Sequence, residues 1–379
     1  MTARQGVAIL GSTGSIGTTA LRVLDRHRER FAVRALTAHA NVALLRRQVD
    51  AWTPSFVALV EGDGDVPASW HRGAAALVEA ATRADVEVVL NAIVGAAGLD
   101  ATLAALGAGK RVALANKESL VVGGALVGAA ARQGGGAVVP VDSEHSAILQ
   151  CLGGRSAADV RKLIITASGG PFRQWPAERV RGATVQDALN HPTWTMGRKI
   201  TVDSATLANK ALEVIEAHFL FGLGYDQIDV VVHPQSIVHS MVEFRDGSVL
   251  AQLGVPSMEL PILCALTHPE RIEDWGIPSF DPVATGGLTF EAVRHDAFPC
   301  LALGVAAGRA GGAAPAVYNG ANEEAVALFL AGRVTFGAIA DGIAAALDRH
   351  GSLAGGTLET LWHADAEARR TVRETLGCR

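Results

Sequence analysis

Apolar residues over the first 140 positions alternate between short β-rich runs and longer runs at helical spacing. The short runs predict strands at residues 7–10, 31–35, 56–60, 86–91, 112–115 and 137–141. The segments between them repeat apolar residues with a helical period, as at residues 18–26, 42–52 and 99–108. Strands and helices in alternation predict an α/β fold with a doubly wound, Rossmann-like parallel sheet.

The pattern changes from about residue 142. Residues 163–166 and 230–232 predict buried strands, and residues 208–221 predict a helix. Two apolar runs, 238–244 and 248–253, flank Asp246-Gly247, a pair that favours a β-hairpin turn. The middle section is therefore predicted to be a second sheet with helices, a central α/β domain.

The last hundred residues are rich in alanine and predict helices at 299–308, 315–330, 336–349 and 364–376. Short turns join these helices, which is typical of a small helical bundle. Prolines and glycines at 278–287 predict a linker before them. The predicted division is a Rossmann-like domain at 1–141, a central domain at 142–277, a linker at 278–291 and a C-terminal bundle at 292–379.

Composition narrows the class of protein. Of 379 residues, 49% are hydrophobic and 19% are charged, and the formal net charge is -5 without a long basic run, which argues against nucleic acid or an anionic membrane as partner. The 4 cysteines lie far apart and fit free thiols in a reducing compartment. The apolar run 120–131 is shorter than the roughly 20 residues that span a bilayer. We expect a soluble, cytoplasmic protein.

A glycine-rich turn follows the first strand and reads G-S-T-G-S-I-G from Gly11 to Gly17. Glycines let the backbone approach a pyrophosphate, whose charge is met by N–H groups at a helix N-terminus. The spacing departs from G-x-G-x-x-G, and a tight turn that needs positive φ is the alternative. The setting between a strand and a helix favours dinucleotide binding. The predicted contacts are Gly11, Thr13, Gly14, Ser15 and Ile16.

The second strand bears on which dinucleotide binds. NAD sites usually place an acid at its end to bind the ribose hydroxyls. No acid occurs between Glu29 and Asp50, and His39 and Asn41 stand there instead. We therefore expect NADP, with Asn41 among its contacts.

A cluster of acids ends the last predicted strand of the first domain, in V-P-V-D-S-E-H-S-A. In a strand, Asp142 and Glu144 point to the same face, which suits a shared cation. The alternative is an exposed strand end in which Asp142 or Ser143 caps a helix that begins near Ala147.

The helix predicted at 208–221 carries Asn209, Glu213 and Glu216 on one face. An ordinary amphipathic helix explains this face, but the residues at its predicted start are unusually polar. Hydroxyls, an amide and an ammonium at a helix N-terminus suit a phosphate group. These residues are Asp203, Ser204, Thr206, Asn209 and Lys210.

Four other segments carry candidate site residues. Ser168 leaves a strand into Gly169-Gly170, which alone predicts a turn, and residues 191–199 form a candidate lid that excludes water. The segment H-P-Q-S-I-V-H-S includes Ser236. Asn116, Lys117 and Glu118 follow a parallel strand, whose carboxyl end faces the ligand crevice of such sheets.

Together these motifs closely resemble the 1-deoxy-D-xylulose 5-phosphate reductoisomerase family over nearly the whole chain. The segments that carry the resemblance are G-S-T-G-S-I-G, A-N-K-E-S, P-V-D-S-E-H-S-A-I, T-A-S-G-G-P-F, H-P-T-W-T-M-G-R-K-I-T-V-D-S-A-T, N-K-A-L-E-V-I-E-A and H-P-Q-S-I-V-H-S-M-V. The resemblance implies a homodimeric oxidoreductase of non-mevalonate isoprenoid synthesis. Such enzymes rearrange a ketose phosphate and reduce the product with NADPH to 2-C-methyl-D-erythritol 4-phosphate, using Mg²⁺, Mn²⁺ or Co²⁺.

The resemblance also implies a role for each matching residue. It makes Asp142, Glu144 and Glu213 the metal ligands. It assigns the phosphate to Ser168, Ser204, Asn209 and Lys210. It assigns the rest of the substrate to Lys117, Ser143, His191 and Ser236, with Trp194 of the lid 191–199 above it, and it makes Lys117 and His191 catalytic candidates. Asn116 and Glu118 are expected near the cofactor.

One departure from the family is Ala40, where many members have a basic residue before the asparagine. His39 or Arg46 could take its place. Two alternatives stay open, another metal-assisted NADP oxidoreductase such as a hydroxy-acid dehydrogenase, and a non-catalytic NADP-binding protein.

Overall fold

The structure is a computed structural model that describes residues 4–62 and 66–378. The elements up to the end of the first sheet are β1 (Gln5–Leu10), α1 (Ser15–Arg26), β2 (Phe31–Ala38), α2 (Val42–Trp52), β3 (Phe56–Leu59), β4 (His71–Arg72), α3 (Ala75–Thr82), β5 (Val88–Asn91), α4 (Leu99–Gly107), β6 (Arg111–Leu114), α5 (Lys117–Gly134) and β7 (Ala137–Pro140).

The later elements begin with α6 (Ser143–Leu152), β8 (Val160–Ala167), α7 (Ala177–Val180), α8 (Val185–Leu189), α9 (Arg198–Thr206), α10 (Ala208–Phe221), β9 (Ile228–Val232), β10 (Val238–Phe244), β11 (Val249–Leu253) and α11 (Glu259–Thr267). They end with α12 (Pro282–Thr285), α13 (Pro299–Ala310), α14 (Ala314–Leu330), α15 (Phe336–His350) and α16 (Leu358–Thr375).

The chain divides into two compact units. Unit 1 comprises Met1–Ser119, Leu126–Ser146 and Ser257–Pro278, and unit 2 comprises Leu120–Ala125, Ala147–Pro256 and Ser279–Arg379. The predicted division into three functional domains stays a prediction, because compactness alone does not test where each function lies.

Unit 1 is built on a parallel sheet with the strand order β4-β3-β2-β1-β5-β6-β7. Four consecutive residues of β1, from Val7 to Leu10, are fully buried, as expected of a central strand covered on both faces. The carboxyl ends of parallel strands meet at one edge of a sheet, which is the edge that binds ligands in open α/β folds. The predicted doubly wound sheet is confirmed.

Ion pairs connect the segment Ser257–Pro278 to the C-terminal end of α1. Arg26 Nε lies 2.8 Å from Asp274 Oδ1, and Arg26 Nη2 lies 2.7 Å from Glu259 Oε2. His27 Nε2 lies 3.1 Å from Asp274 Oδ2. Unit 1 therefore needs residues that follow most of unit 2 in the chain.

Unit 2 contains a sheet with the order β11-β10-β8-β9 and the C-terminal helices α13 to α16. The pairing of β10 with β11 is antiparallel and turns at Gly247, where φ is 88°, so the predicted hairpin is confirmed. Fully buried residues of β8 and β10, with Ile148 of α6, form an apolar core under the sheet. The predicted α/β class is confirmed. In the described part of the chain, no helix combines the length and apolar character needed to cross a membrane.

Candidate functional site

The glycine turn lies between β1 and α1, at the carboxyl edge of the unit 1 sheet. Gly11 has a φ of 83°, and a Cβ there would lie 2.8 Å from the Ala92 carbonyl oxygen. A Cβ on Gly17 would lie 2.4 Å from the Gly11 carbonyl oxygen. Both positions therefore require glycine for the close backbone approach. The first turn of α1, which begins at Ser15, contains no acid, so no carboxylate of this turn would compete with an anion for its N–H groups.

The end of β2 carries the residues expected near the adenosine ribose. Asn41 caps α2, because its Oδ1 accepts a hydrogen bond of 3.1 Å from the Leu44 N–H. His39 Nε2 lies 3.3 Å from Glu61 Oε2, and both side chains are largely exposed. Arg46 lies over the Trp70 ring, 5.7 Å from its centroid. The residue before Ala40 is thus a histidine that has an acid beside it.

Asn116 forms the centre of a buried polar network under the same edge. Its side-chain amide donates to the carbonyls of Ile93 and Gly95, at 2.8 and 2.7 Å, and to Glu118 Oε2 at 3.2 Å. Its Oδ1 accepts from the Ser119 N–H at 3.1 Å and from the Ser119 hydroxyl. The side chain is fully buried, so we infer that it fixes the loop after β5 through protein contacts.

Lys117 and Asp142 form a buried ion pair within unit 1, with side chains 7% and 9% exposed. His145 Nδ1 lies 3.6 Å from Asp142 Oδ1. Burial on its own would raise the pKa of the Asp142 carboxyl, but the Lys117 ammonium and the His145 ring hold that pKa well below its usual value. Asp142 is therefore ionised, which is the form in which a carboxylate binds a metal ion.

The acids of V-P-V-D-S-E-H-S-A do not lie in a strand, and the alternative, in which Asp142 caps a helix, is confirmed. Strand β7 ends at Pro140, and α6 begins at Ser143, earlier than the predicted Ala147. Asp142 takes the capping position, since the Glu144 N–H donates to its Oδ1 at 3.3 Å. The proline that ends β7 has no N–H for a further ladder bond, and Asp142 favours a helix start over a longer strand. The Ser143 hydroxyl donates to the Glu144 carboxylate.

Within unit 2, three predicted phosphate and substrate residues meet at one imidazole ring. His191 Nε2 lies 3.0 Å from Ser168 Oγ and 3.2 Å from Ser204 Oγ. The Nδ1 atom accepts hydrogen bonds from the backbone N–H groups of Thr193 and Trp194, at 3.1 and 2.9 Å. An acceptor at Nδ1 places the ring proton on Nε2, and burial lowers the pKa of His191, so the ring is neutral.

Lys210 lies in the first turn of α10 and is buried. Its ammonium donates to the Thr166 carbonyl and to the Glu213 carboxylate, while the Asn209 side chain donates to the other oxygen of Glu213. Three of the predicted residues of α10 therefore meet at one carboxylate. This carboxylate is 1% exposed.

The polar residues before α10 are not all at its start, as predicted. Residues Arg198–Thr206 form a separate helix, α9, which ends where Leu207 takes a left-handed conformation with a φ of 59°. Asp203, Ser204 and Thr206 therefore lie in the last turns of α9. The sequence hid this break because no glycine or proline marks the turn between the two helices.

The predicted lid is irregular from residue 191 to 197, and Arg198 and Lys199 already belong to α9. Trp194 is half-buried, and its ring centroid lies 6.4 Å from that of His239. Ser236 is buried and has a positive φ of 52°, an uncommon conformation for a residue with a side chain. Each of these residues lies in unit 2.

Two contacts escaped the sequence analysis. His145 reaches Asp142 because it lies three residues later on the helix that Asp142 caps, a spacing that was visible once the helix start was known. Asp203 accepts a hydrogen bond of 2.9 Å from Asn322 of α14. No local sequence pattern predicts a hydrogen bond between residues that are 119 positions apart.

Comparison with known proteins gives matches along most of the chain. The sequence model of 1-deoxy-D-xylulose 5-phosphate reductoisomerase matches residues 7–124, and the two models of its C-terminal domains match residues 138–221 and 253–371. The enzyme of that name from a Synechococcus strain is 51% identical over 98% of this chain and 97% of the relative. The Geobacter metallireducens enzyme is 49% identical over 98% of this chain and 99% of the relative.

Solved structures agree with these matches. The Zymomonas mobilis 1-deoxy-D-xylulose 5-phosphate reductoisomerase in complex with NADPH has a TM-score of 0.90, with 41% identity and 99% of each chain covered. A reductoisomerase in complex with NADPH, fosmidomycin and magnesium has a TM-score of 0.93, with 40% identity and 98% of each chain covered.

The Rossmann-like sheet with its glycine turn, and the agreement with these enzymes, define an NADP-dependent oxidoreductase. More closely, the chain belongs to the 1-deoxy-D-xylulose 5-phosphate reductoisomerase family. The predicted function is thereby confirmed, namely the NADPH-dependent conversion of 1-deoxy-D-xylulose 5-phosphate to 2-C-methyl-D-erythritol 4-phosphate in isoprenoid synthesis. The roles of the individual site residues stay predictions.

Proposed function

We propose that Asp142, Glu144 and Glu213 bind the divalent cation of this reaction. NADPH and a divalent metal are the cofactors of the enzyme. Each of the three residues offers one carboxylate oxygen, the hard ligand that Mg²⁺ and Mn²⁺ prefer. The observation that carries the proposal is the buried Asp142 carboxyl, which Lys117 keeps ionised.

The bound cation supplies Lewis-acid chemistry, polarising the substrate ketone and favouring ionisation of the neighbouring hydroxyl. The protein's own groups orient the substrate around these oxygens. We assign the Lys117 ammonium and the hydroxyls of Ser143 and Ser236 to the substrate carbon chain. Lys117 is buried and already carries its charge beside Asp142, so it can donate to a substrate oxygen without a change of protonation.

The substrate is a small-molecule phosphate, and we propose that Ser168, Ser204, Asn209 and Lys210 bind its phosphate group. The neutral His191 ring supports this assignment. Because Nε2–H donates to the oxygens of Ser168 and Ser204, the hydroxyl protons of both serines remain available for another acceptor. A phosphate oxygen is such an acceptor, and the binding energy of the phosphate positions the reacting carbons.

We propose that residues 191–199, with Trp194, close over the bound substrate. The backbone N–H groups of Thr193 and Trp194 bond to the same His191 ring that contacts the serines. A phosphate that orders the serines therefore also orders the ring on which the lid folds. Exclusion of water by such closure strengthens the polar contacts inside the site.

For the cofactor, we propose that the turn residues Gly11, Thr13, Gly14, Ser15 and Ile16 bind the pyrophosphate. The support is the acid-free first turn of α1, which follows the glycine turn directly. Asn41 caps α2 near the ribose, so its contribution is to place that helix start. Asn116 and Glu118 act on the cofactor by fixing the loop after β5, since both side chains are buried and bonded to each other.

We further propose a cytoplasmic homodimer that forms through the edge strand β11. Among the residues that the structure describes, this strand pairs on one side only, with β10, and its residues Val249 and Leu250 are 49% and 40% exposed. An apolar sheet edge readily pairs with a second copy of the same edge. Sedimentation should give a dimer, and Leu250→Lys should give a monomer that still folds. A wild-type monomer would exclude this assembly.

The test of the metal assignment uses metal-stripped protein, NADPH and 1-deoxy-D-xylulose 5-phosphate, with and without Mn²⁺ and with NADH in parallel. We expect oxidation of NADPH only with metal, and one Mn²⁺ bound per chain in a calorimetric titration. Asp142→Asn and Glu144→Gln should each weaken Mn²⁺ binding about 10- to 100-fold and leave NADPH binding intact. Unchanged Mn²⁺ affinity in these variants would contradict the ligand assignment.

A further inference from the structure

A buried carboxylate links two helices of unit 2 behind the proposed phosphate residues. The Asp203 side chain, in the last turns of α9, is 1% exposed. Its Oδ2 lies 2.9 Å from Lys199 Nζ, one turn earlier on the same helix. Its Oδ1 accepts a hydrogen bond of 2.9 Å from the Asn322 amide of α14. Both carboxylate oxygens are thus engaged by the protein itself.

Asn322 is fully buried, and burial makes its amide costly unless it is bonded. Within residues 4–62 and 66–378, its Oδ1 atom has no hydrogen-bond partner. The amide therefore leaves one acceptor unsatisfied while it donates to Asp203. A bond to an ionised carboxylate is among the strongest that an amide makes, which explains why the side chain takes this orientation.

The negative charge at Asp203 also acts on its other neighbours. Burial, and after it the Asp203 charge, raises the pKa of the Cys300 thiol to about 12. The pKa of Tyr318, on the same helix as Asn322, is raised by burial and by the same charge. These shifts place the Asp203 carboxylate among groups of α13 and α14 that stay neutral, where Lys199 supplies an opposite charge and Asn322 a hydrogen bond.

The two contacts of Asp203 bear on both ends of α9. Lys199 is the last residue of the proposed lid, and Ser204, next to Asp203, is one of the serines on the His191 ring. We propose that Asn322 is a positioning residue for the reaction, which holds α9 through Asp203 so that Ser204 and the end of the lid stand ready for the substrate phosphate. This inference rests on the proposed phosphate role of Ser204. It gives the C-terminal bundle a part in substrate binding.

The chain offers a matched control in Asn319, one turn earlier on α14. Asn319 is also fully buried and also has an Oδ1 atom without a hydrogen-bond partner in the described ranges. Its amide donates to Glu323 at 3.0 Å instead of to Asp203. Asn319→Ala therefore creates a similar cavity in the same helix and leaves the Asp203 contacts in place.

The experiment compares Asn322→Ala and Asn319→Ala for KM, kcat, NADPH affinity and Tm. We expect Asn322→Ala to raise KM for the phosphate substrate about tenfold, the size of one hydrogen bond to a charged group, with kcat and NADPH affinity changed less than about twofold. The affinity of a phosphonate that bears a hydroxamate, measured by calorimetry, should fall in parallel. Asn319→Ala should lower Tm by a similar amount and leave KM unchanged.

A double-mutant cycle with Asp203→Asn shows whether the effect passes through the carboxylate. On that background Asn322→Ala should add little to KM. Asp203→Asn also provides the test if Asn322→Ala does not fold. Equal KM values for Asn322→Ala and Asn319→Ala would overturn the inference, as would an equal loss of NADPH affinity. Ser204→Ala separates the positioning role of Asn322 from the phosphate role of Ser204. An unchanged KM in Ser204→Ala would contradict the phosphate role itself.

Discussion

The cofactor-binding residues proposed in unit 1 (the cofactor half) and the phosphate-binding residues proposed in unit 2 (the substrate half) are built differently. Under the carboxyl edge of unit 1, the side chain of Asn116 hydrogen-bonds to the surrounding protein. The loop that it supports is therefore preorganised before a ligand binds. In unit 2, Lys210 bonds to Glu213, and Ser168 and Ser204 bond to His191. The cofactor half is thus preorganised, whereas the substrate half contains charged and hydroxyl groups whose mutual bonds a ligand can replace.

This difference separates two ways in which a site uses binding free energy, namely low reorganisation and discrimination between ligands. A preorganised surface needs little rearrangement when a ligand binds, so less of the binding free energy of the cofactor is lost to ordering the protein. Exchangeable pairs discriminate between ligands, because only a ligand with matching charge compensates for the bonds it replaces. A phosphate and a divalent cation match an ammonium and a carboxylate respectively.

The largest effect should come from Glu213→Gln. The change removes a proposed metal ligand and the carboxylate that bonds Lys210, so turnover should fall at least roughly 100-fold. NADPH affinity, measured by fluorescence quenching, should remain. Glu243→Gln, which alters a partly buried glutamate of unit 2 that pairs with Arg161 near the surface, is the control and should leave turnover unchanged. Loss of NADPH affinity in Glu213→Gln would break the division into two halves.

The second-largest effect should come from Lys210→Ala. Removing one charge-assisted bond to phosphate should raise KM for the substrate about 10- to 100-fold and change NADPH affinity little. Steady-state kinetics with each ligand varied in turn separates the two. Lys162→Ala serves as control, since that lysine lies on the surface of unit 2 and pairs with Asp229 at 2.7 Å. Equal effects on both ligands would take Lys210 out of the substrate half.

Asn116→Ala should show the opposite preference. Without its bonds to the Ile93 and Gly95 carbonyls, the loop after β5 loses its fixed shape, and NADPH affinity should fall about tenfold. KM for the substrate should change less. Ser119→Ala removes the other side of the same network and should have a smaller effect on NADPH. A larger effect on substrate than on cofactor would show that Asn116 belongs with the substrate half.

The smallest effect concerns pH. Because the pKa of His191 is lowered below 6.5, the ring is neutral in both the folded and the unfolded chain above that pH. As pH falls from 6.5 toward the lowered value, the unfolded chain binds a proton and the folded chain does not, so the free energy of unfolding decreases. His191→Gln should remove this term and reduce the loss of Tm between pH 7.5 and 5.5 by about 2 °C.

His295→Gln, which changes an exposed histidine, should leave that loss as in the wild type. An identical pH dependence of Tm in wild type and His191→Gln would mean that the ring titrates normally. The bonds from Thr193 and Trp194 would then not fix a neutral ring.

The sequence predicted the sheet of unit 1 well because strand and helix periods differ clearly there. Strand β10 and helix α10 have the predicted bounds. Helix α16 begins at Leu358, earlier than the predicted residue 364, because the Thr357 cap was not recognised. The site residues were found through motifs, but their partners were not. Pairs such as Asp203 with Asn322 depend on how distant helices pack, which no local period encodes.

The fastening of Ser257–Pro278 to α1 bears on how the chain is made. Arg26 and Asp274 are 248 positions apart, so a ribosome must deliver most of unit 2 before the first Rossmann-like unit can be completed. Neither unit is one continuous stretch of the gene product, and no single cut releases either of them whole. Neither unit could therefore be exchanged as a single contiguous segment of the chain.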